Sequence, residues 1–545
     1  MNVVPLSDLV EAVVVEALRK SVPSGAEAVV RRSEFADFQA NGALPAAKKA
    51  GRNPREVAAD AVEAMAGDLF EAVEVSGPGF INLNLPTKAL WRQVAEQGAG
   101  VPQAWAGKKV YIDYSAPNVA KEMHVGHLRS TCIGDALAHM AEAVGAEVVR
   151  KNHVGDWGTQ FGMLIQYLEE NSGAEWHEGI SQLNALYKKA VRVFDEEAEF
   201  AARARDRVSL LQKGDESTLA VWRELVDVSA RAFQETYDRL GVSLRPEHLA
   251  GESTYNDHLD AVVDELLEKG ILEESDGAIV GYVEGEKGPD GNPVPLIVRK
   301  ANGSYGYGAT DLATIRQRSI EGADLVLYVV DHRQALHFRQ VFAIARRAGW
   351  LESCRPVHVP FGTVMGPDGK PFKTRAGKSV TLNSLLDEAE EAAGRIGIDA
   401  VKYADLSTSR VKDYVFDVER MTELQGNTSV YLQYSHARIC SILARAGEAG
   451  KVSTGIVMSA EERALILRLD DFGRVVAEAA EASEPHRIAE YLFTLAKEFT
   501  AFYGANPVLK ADPEARGNRI ALLEWAKATL AKGLELLGIE APDQM

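Results

Sequence analysis

The pattern of apolar and polar positions in the middle of the chain alternates between strand and helix character. Lys108–Tyr114 and Glu147–Asn152 are short, strand-like runs, and between them apolar residues recur four, three and four positions apart from Ile133 to Val144. Strands that alternate with helices favour a parallel, doubly wound sheet. We therefore predict a Rossmann-like α/β domain over residues 106–400.

The N-terminal part of the chain has a different pattern. Leu6–Lys20 has the apolar spacing of an amphipathic helix, and Ser76–Leu85 combines a Gly-Pro-Gly turn with a strand-like run. These segments predict a small α/β domain over residues 1–105.

Long helical patterns dominate two other regions. Gln182–Leu240 is charged and helical, which predicts an insertion in the α/β domain ahead of a further strand at Asp324–Asp331. After about residue 400 the strand patterns disappear, and the rest of the chain predicts an all-α domain over residues 401–545. Its clearest helical segments are Val430–Ala446, Ala460–Ala482 and His486–Tyr503.

Composition narrows the class of protein without deciding its partner. The chain has 545 residues, of which 46% are hydrophobic and 26% charged, as in a globular protein of several domains. Asp8, Glu11 and Glu16 interrupt the first apolar residues, and no run approaches the roughly 18 uncharged residues of a membrane span, so we expect a cytoplasmic protein without a membrane partner. The net charge of −19 describes the average field, whereas a phosphate backbone meets only a local surface. Nucleic acid therefore stays open as a partner.

The three cysteines, Cys132, Cys354 and Cys440, are widely separated and form no CxxC pair. This spacing argues against disulfides and against a cysteine-rich zinc site. We expect no structural metal held by the protein, and any metal to be Mg²⁺ that arrives with a nucleotide.

The most informative motif is His124-Val125-Gly126-His127, which follows the first predicted strand and opens the next helix. Ligands of parallel sheets bind beyond the carboxyl ends of the strands, and helix N-termini attract phosphate. Two imidazoles in one turn can hydrogen-bond a triphosphate and stabilise the charge that develops at the α-phosphorus. Composition alone would produce an HxGH string about 0.02 times in this chain, so we interpret the motif as a nucleotide site.

The motif and its surroundings resemble a known family. An HxGH string after a strand resembles the nucleotide-binding element of class I aminoacyl-tRNA synthetases, and Ser115–Thr131 (SAPNVAKEMHVGHLRST) and Gly155–Gly162 (GDWGTQFG) resemble the arginyl enzymes in particular. The resemblance implies the class I synthetase fold. It also implies an enzyme that uses ATP with Mg²⁺ to join L-arginine to tRNA(Arg) through an arginyl-adenylate, releasing AMP and pyrophosphate. We expect the enzyme to be a monomer.

The second, lysine-bearing loop of class I enzymes, KMSKS, is absent as a string. Met365–Arg375 (MGPDGKPFKTR) instead has a Pro-Asp-Gly turn followed by three cations, and its FKTR end is similar to the form in arginyl enzymes. Alone, such a string would be a solvated hairpin. By resemblance, Lys121 replaces the missing lysine, and the catalytic residues are Lys121, His124, His127, Lys373 and Arg375. The ATP contacts implied in the same way are His124, Gly126, His127, Lys370 and Lys373.

A site selective for arginine needs paired carboxylates, because a guanidinium is planar, permanently charged and carries five donors. Any one of the 79 Asp and Glu residues is more often a solvated surface residue. The resemblance singles out Glu252 in GESTY and Asp311 in YGYGATD, and Tyr307 shares a face with Asp311 if that segment is helical. The arginine-binding residues that it implies are Ala116, Pro117, Asn118, His127, Glu252, Tyr307, Asp311 and Gln334.

The segment Gly426–Arg438 resembles the entry to the anticodon-binding domain of the family. Its aromatic, histidine and arginine side chains are types that stack on unpaired bases or hold phosphates, although aromatic residues on helices often belong to the core. The predicted tRNA contacts are Tyr431, Tyr434, His436 and Arg438. By the same resemblance, the N-terminal domain contacts the elbow of the tRNA at its D-loop.

Two other readings of the sequence remain open. One is a different class I ligase or a nucleotidyltransferase with the same fold. The other is a non-catalytic RNA-binding relative, which should have lost either HVGH or the acidic pair, whereas this chain retains both.

Overall fold

A computed structural model of the chain describes residues 4–22, 27–65, 69–98, 100–171, 175–288, 291–372 and 380–545. In these ranges the helices are α1 (Leu6–Ser21), α2 (Ala43–Ala50), α3 (Pro54–Ala64), α4 (Thr87–Glu96), α5 (Val125–Ala143), α6 (Thr159–Glu170), α7 (Ile180–Glu196), α8 (Ala198–Gln212), α9 (Glu216–Leu240), α10 (Asn256–Glu268), α11 (Tyr307–Ile320), α12 (Ala335–Arg347), α13 (Leu382–Ala393), α14 (Arg395–Ser407), α15 (Val418–Met421), α16 (Ser429–Ala446), α17 (Ala460–Asp470), α18 (Phe472–Ala482), α19 (His486–Ala505) and α20 (Pro513–Leu536). The strands are β1 (Val30–Arg32), β2 (Phe38–Ala40), β3 (Ala72–Ser76), β4 (Phe80–Asn84), β5 (Lys109–Asp113), β6 (Glu147–Lys151), β7 (Glu273–Ser275), β8 (Ala278–Gly281), β9 (Leu296–Arg299), β10 (Leu325–Asp331), β11 (Arg355–Phe361), β12 (Val364–Met365) and β13 (Tyr414–Val415). Short 3₁₀ turns cover Pro246–His248, Glu252–Tyr255 and His332–Gln334.

The first sheet belongs to the N-terminal part of the chain and is antiparallel, in the order β1-β2-β4-β3. The predicted Gly-Pro-Gly turn joins β3 to β4, and Gly77 and Gly79 both have positive φ there. Helices α1 and α3 pack together next to this sheet. Leu6, Val10, Val14 and Leu18 form the buried stripe of α1, which confirms the amphipathic pattern of that helix.

The central sheet is parallel and has the order β11-β10-β5-β6. Its inner strands β5 and β10 are largely buried, and helix α5, which connects β5 to β6, is covered along most of its length. The sheet and its crossover helix confirm the predicted doubly wound α/β class. Helices α7, α8 and α9 follow α6 as the predicted insertion and pack on one another and on α6.

The C-terminal part is helical, with two differences from the prediction. Strands do not end at residue 400, since Tyr414–Val415 pairs in parallel with Val364–Met365. The segment 460–482 is two helices that meet at Asp471, next to Asp470, whose buried carboxylate faces the N-terminal part of the chain. Asp470 accepts hydrogen bonds from Leu6 N at 2.7 Å and from Gln93, and Asp471 pairs with Arg474.

The two ends of the chain are packed against each other. Trp91 of α4 is fully buried, and its indole N–H donates to the carbonyl of Ile456. Arg463 of α17 pairs with Asp37 beside β2. Helix α4 also contacts α17 and α20, so N-terminal and C-terminal elements share one interface. Among the described helices, none is long and apolar enough to cross a bilayer.

Candidate functional site

The predicted site residues lie where the strands of the central sheet end. Asn118 follows β5, Gly155 and Asp156 follow β6, and Gln334 follows β10. Because β5, β6 and β10 are parallel neighbours, these segments leave the same edge of the sheet. The order of the strands thus gathers residues that are more than 200 positions apart in the sequence.

Helix α5 begins at the HVGH motif, and the two histidines cap its first turn. The Nδ1 atom of His124 accepts from Gly126 N, and the Nδ1 atom of His127 accepts from His124 N, each at 3.0 Å. The two rings are 3.9 Å apart between centroids. An Nδ1 atom that accepts a hydrogen bond carries no proton, so each neutral ring has its N–H at Nε2. Both histidines can therefore donate from Nε2 while their caps stay intact.

The pKa values of both imidazoles favour this neutral form. Burial lowers the pKa of His127 to about 3, with a smaller contribution from His124. Burial also lowers the pKa of His124, and the charges of Arg333 and Lys121 lower it further. At neutral pH the first turn of α5 thus offers neutral donors, with two cations nearby to attract an anion.

Arg333 is a neighbour of the motif that the sequence did not indicate. It follows β10 directly, and its guanidinium is held by Asp331 through two hydrogen bonds. The sequence directed attention to the next residue, Gln334, whose side chain is exposed and has no hydrogen-bond partner among the described residues. Lys121 has its Nζ 4.6 Å from the ring centroid of Tyr187 on α7, so the insertion supports this predicted catalytic lysine.

The lysine-bearing segment is described only in part. Met365 pairs with Pro371, Gly366 N donates to Lys370 O, and Gly369 has a φ of +69°, which confirms the predicted turn with Lys370 exposed near its tip. Lys373 and Arg375 lie outside the described residues. On the far side of that gap, Leu382 N donates to Met123 O at 2.8 Å and Thr381 pairs with His124. The described end of the segment is therefore in contact with the HVGH motif.

Glu252 is connected to the same edge of the sheet through the backbone. Glu252 N donates to Val154 O at 3.2 Å, and the neighbouring Gly155 pairs with Asn118. A Cβ atom at Gly155 would stand 2.5 Å from Asn118 Oδ1, so a larger residue here would displace the Asn118 side chain. The segment that carries Glu252 thus lies one backbone step from the loop that leads to His124.

Glu252 belongs to a group of three acids. Its pKa is raised to about 8, mainly by burial and to a smaller extent by the charges of Asp156 and Asp311. Asp156 accepts from the N–H and hydroxyl of Ser253, while Glu252 has no described hydrogen-bond or ion-pair partner for its carboxylate. Asp311 is paired with His337 Nε2 at 2.5 Å. A half-buried acid of this kind is a favourable position for a cationic ligand.

Tyr307 lies beside the acids, as the sequence predicted. Helix α11 begins at Tyr307, so Tyr307 and Asp311 are one turn apart. The Tyr307 side chain is 69% exposed, and burial of its hydroxyl together with the charge of Glu252 raises its pKa. Of the residues around Glu252, the sequence did not single out Asp156 or His337, which pairs with Asp311.

Ala116 and Pro117 take part in this region through their backbone. Pro117 O accepts from Gly155 N at 3.2 Å, and Ala116 N donates to Asn152 Oδ1 at 3.0 Å. Both residues belong to the loop that carries Asn118. Their predicted contacts with arginine remain predictions.

The predicted tRNA residues lie on α16 in different surroundings. Tyr434 and Arg438 are exposed one turn apart, and the Arg438 guanidinium stands 4.7 Å from the ring centroid of Tyr503. Both line a groove of about 820 Å³ that also includes Arg445, Lys527 and the last three residues of the chain. Tyr431 is half-buried, with its hydroxyl near Thr500.

His436 differs from the prediction. It is only 2% exposed, and one ring nitrogen lies 2.9 Å from Pro542 O beneath the end of the chain. Its ring is covered, so a direct contact with a base is not available to it. The apolar spacing of α16 explains the difference, because His436 is on the packed side of the helix and Tyr434 is on the open side.

The described residues include one group of three potential metal ligands, formed by His436, Cys440 and Asp543. The Asp543 carboxylate of this group is already paired with a cation, because Lys527 Nζ lies 3.2 Å from it. The Cys440 thiol donates a hydrogen bond to the same carboxylate. All three cysteines are free thiols.

Three family models match successive parts of the chain. Residues 8–85 match the arginyl tRNA synthetase N-terminal domain, residues 90–396 match the catalytic domain of class I (R) tRNA synthetases, and residues 432–545 match the DALR anticodon-binding domain. The domain boundaries predicted at 105 and 400 remain a prediction.

Relatives and solved structures agree over the whole length. The chain is 52% identical to an arginine–tRNA ligase of Frankia casuarinae over 99% of each chain, and 50% identical to that of Thermobifida fusca over 95% of each. Its fold matches the arginyl-tRNA synthetase of Plasmodium falciparum with a TM-score of 0.85 at 28% identity, covering 100% of both chains. That of Thermus thermophilus matches with a TM-score of 0.81 at 26% identity, over 99% of this chain and 100% of the other. The family models and the full-length relatives together show that the chain belongs to the class I arginyl-tRNA synthetases.

Proposed function

We infer that the chain activates L-arginine with ATP and transfers the arginyl group to tRNA(Arg). The observation that carries this function is the group of three acids around Glu252, one backbone step from the loop that leads to the capped histidines. A cationic amino acid held by the acids would present its carboxylate towards a nucleotide at the N-terminus of α5.

The nucleotide fits the donors at this helix. The Nε2–H groups of His124 and His127 donate to phosphate oxygens, and the helix dipole with Lys121 and Arg333 adds positive potential. Lys370, Lys373 and Arg375 would neutralise the pyrophosphate as it leaves. These neutral donors suit phosphate better than a bare cation, so Mg²⁺ would be held by the nucleotide and water.

The amino acid fits the acids. The carboxylates of Glu252 and Asp311 accept from the guanidinium fork, with Tyr307 beside it and Asn118, Ala116, Pro117 and Gln334 along the loops. The arginine carboxylate then attacks the α-phosphate, which gives arginyl-adenylate and pyrophosphate. The ribose hydroxyl of the terminal adenosine attacks the acyl carbon in the second step, which releases AMP. The protein contributes position and charge, with no covalent intermediate of its own.

A pyrophosphate-exchange assay with each of the twenty amino acids, with and without total tRNA, tests this function. Of the twenty amino acids, only arginine should support exchange. Exchange with another amino acid would identify a different class I ligase. Binding of tRNA without exchange for any amino acid would instead identify a non-catalytic RNA-binding relative.

The KM for arginine should depend on pH. The raised pKa of Glu252, about 8, means that a proton occupies the carboxylate of the free enzyme below pH 8. Arginine needs the ionised form, so its KM should fall by up to about tenfold per unit as pH rises from 6 to 8. Initial rates of exchange across this range measure the effect. The KM for ATP serves as the control, because His127 stays neutral throughout. A KM for arginine that is flat from pH 6 to 8 would contradict the role of Glu252.

Arg438→Ala should weaken tRNA binding by about fivefold and leave the KM for arginine unchanged, since one exposed cation contributes to a phosphate contact far from the acids. Filter binding at several salt concentrations should show a shallower salt slope for the variant. Arg438→Lys keeps the charge and should keep the slope. Equal affinity in the wild type and the alanine variant would remove Arg438 from the tRNA surface.

A further inference from the structure

The loop between β5 and the HVGH motif has an unusual backbone. Ser115, Ala116 and Ala120 have φ values of 74°, 49° and 65°, in the left-handed region that residues with a side chain rarely adopt. These residues lie on both sides of Asn118. Such a conformation costs free energy and persists only where the surroundings hold it.

Each left-handed residue is held by a side chain from another element. Ser115 N donates to Ser130 Oγ on α5 at 2.9 Å, and Ala116 N donates to Asn152 Oδ1 after β6. Ala120 N donates to Ser229 Oγ on α9 at 2.9 Å. These three acceptors are buried, so water does not replace them easily.

A chain of hydrogen bonds connects the loop to helix α9 of the insertion. Asn152 Nδ2 donates to Tyr237 Oη at 2.9 Å, and Tyr237 Oη lies 2.8 Å from Ser115 Oγ. Ser115 Oγ lies 2.9 Å from Thr131 Oγ1, which in turn is 2.7 Å from His127 O.

The Tyr237 hydroxyl is the point at which this chain of hydrogen bonds meets helix α9. The proton of Thr131 Oγ1 is shared between Ser115 Oγ and His127 O, and either hydroxyl can donate in the contact between Tyr237 and Ser115. Tyr237 Oη also accepts from Asn152, which anchors Ala116. One hydroxyl therefore connects both left-handed residues, Ser115 and Ala116, to α9.

We propose that Tyr237 is a positioning residue for amino-acid activation. Its hydroxyl holds the left-handed Ser115–Ala116 segment and so holds Asn118 beside the segment that carries Glu252. It touches no substrate and acts through the loop. This role rests on the proposed function. It means that helix α9 of the insertion stabilises a loop of the catalytic domain.

Removing one hydroxyl tests the role. Tyr237→Phe removes the hydroxyl that joins Ser115 Oγ to Asn152 Nδ2, and the loop should relax from its left-handed conformation. The KM for arginine in pyrophosphate exchange should rise about tenfold, while the KM for ATP changes less than about twofold. A general loss of folded protein would instead lower kcat and leave both KM values unchanged.

Thr236→Val is the matched control, because it removes a buried hydroxyl from the same helix that faces Asn383 of α13. It should leave the KM for arginine unchanged. Ser115→Gly is the second variant, since glycine accepts a φ of 74° and the chain of hydrogen bonds is still broken. It should raise the KM for arginine as well, and it keeps the test valid if Tyr237→Phe folds poorly.

The double variant Ser115→Gly/Tyr237→Phe should be little worse than either single change, because both break the same chain. Additive effects, or wild-type KM values in both single variants, would overturn the role of Tyr237. Absence of arginine-dependent exchange in the wild type would be a separate result that overturns the proposed function itself.

Discussion

Glu252→Gln is expected to lower arginine-dependent pyrophosphate exchange strongly and, at the same time, to make the ligand-free protein more resistant to heat. The activity is lost because a neutral amide cannot balance a guanidinium. Truncating one partner of a buried charged pair costs about 2–5 kcal/mol, which is about 30- to 5000-fold in kcat/KM for arginine.

The gain in stability follows from the sign of the pKa shift. Glu252 has its pKa raised from 4.5 to about 8 in the fold, so the native state binds more protons than the unfolded chain between these values. Stability therefore falls as pH rises through this window, and at neutral pH the carboxylate destabilises the empty site. Glutamine removes that penalty, as expected where a site trades stability for activity.

Calorimetry at pH 7 and exchange kinetics measure the two effects. Glu247→Gln, which changes an exposed acid five residues earlier, should alter neither. A variant at Glu252 that keeps the wild-type kcat/KM would exclude this residue from the arginine site.

His124→Asp should lower the rate of adenylate formation by about 10²- to 10³-fold with little change in stability. Aspartate caps a helix as well as asparagine does, so the first turn of α5 should stay intact. Its negative charge, however, would occupy the place from which His124 is proposed to donate to phosphate.

His124→Asn is the matched control, because it has the same size and cap but is neutral and retains a donor. It should keep a larger share of the activity than the aspartate variant. Single-turnover formation of adenylate, followed together with thermal melting, separates chemistry from folding. Equal rates in the two variants would show that charge at this position has no role in the reaction.

Local patterns were sufficient to predict much of the fold. The spacing of apolar residues in α5 and the Gly-Pro-Gly turn before β4 depend on neighbours in the sequence, and both are confirmed. The break at Asp471 was not predictable, because the partner of the adjacent Asp470 is Leu6, 464 positions away. Similarly, β13 exists only because Val364–Met365 lies beside it.

In the candidate site, too, residues in a continuous motif were predictable and residues brought in by distant contacts were not. HVGH is a continuous string, so the sequence alone indicated both histidines. Asp156, His337 and Arg333 join the site through sheet order and helix packing, which leave no short motif. His436 was misassigned because residue type cannot reveal that the end of the chain covers it.

The contact between Trp91 and Ile456 has a consequence during synthesis. The two residues are 365 positions apart, and a ribosome adds about 5–20 residues per second. The N-terminal domain therefore spends about 20–70 s on the ribosome before the surface that covers Trp91 has been made. A large and mostly apolar side chain is unshielded for that interval, so the nascent chain is most prone to misassociation before its last sixth or so emerges.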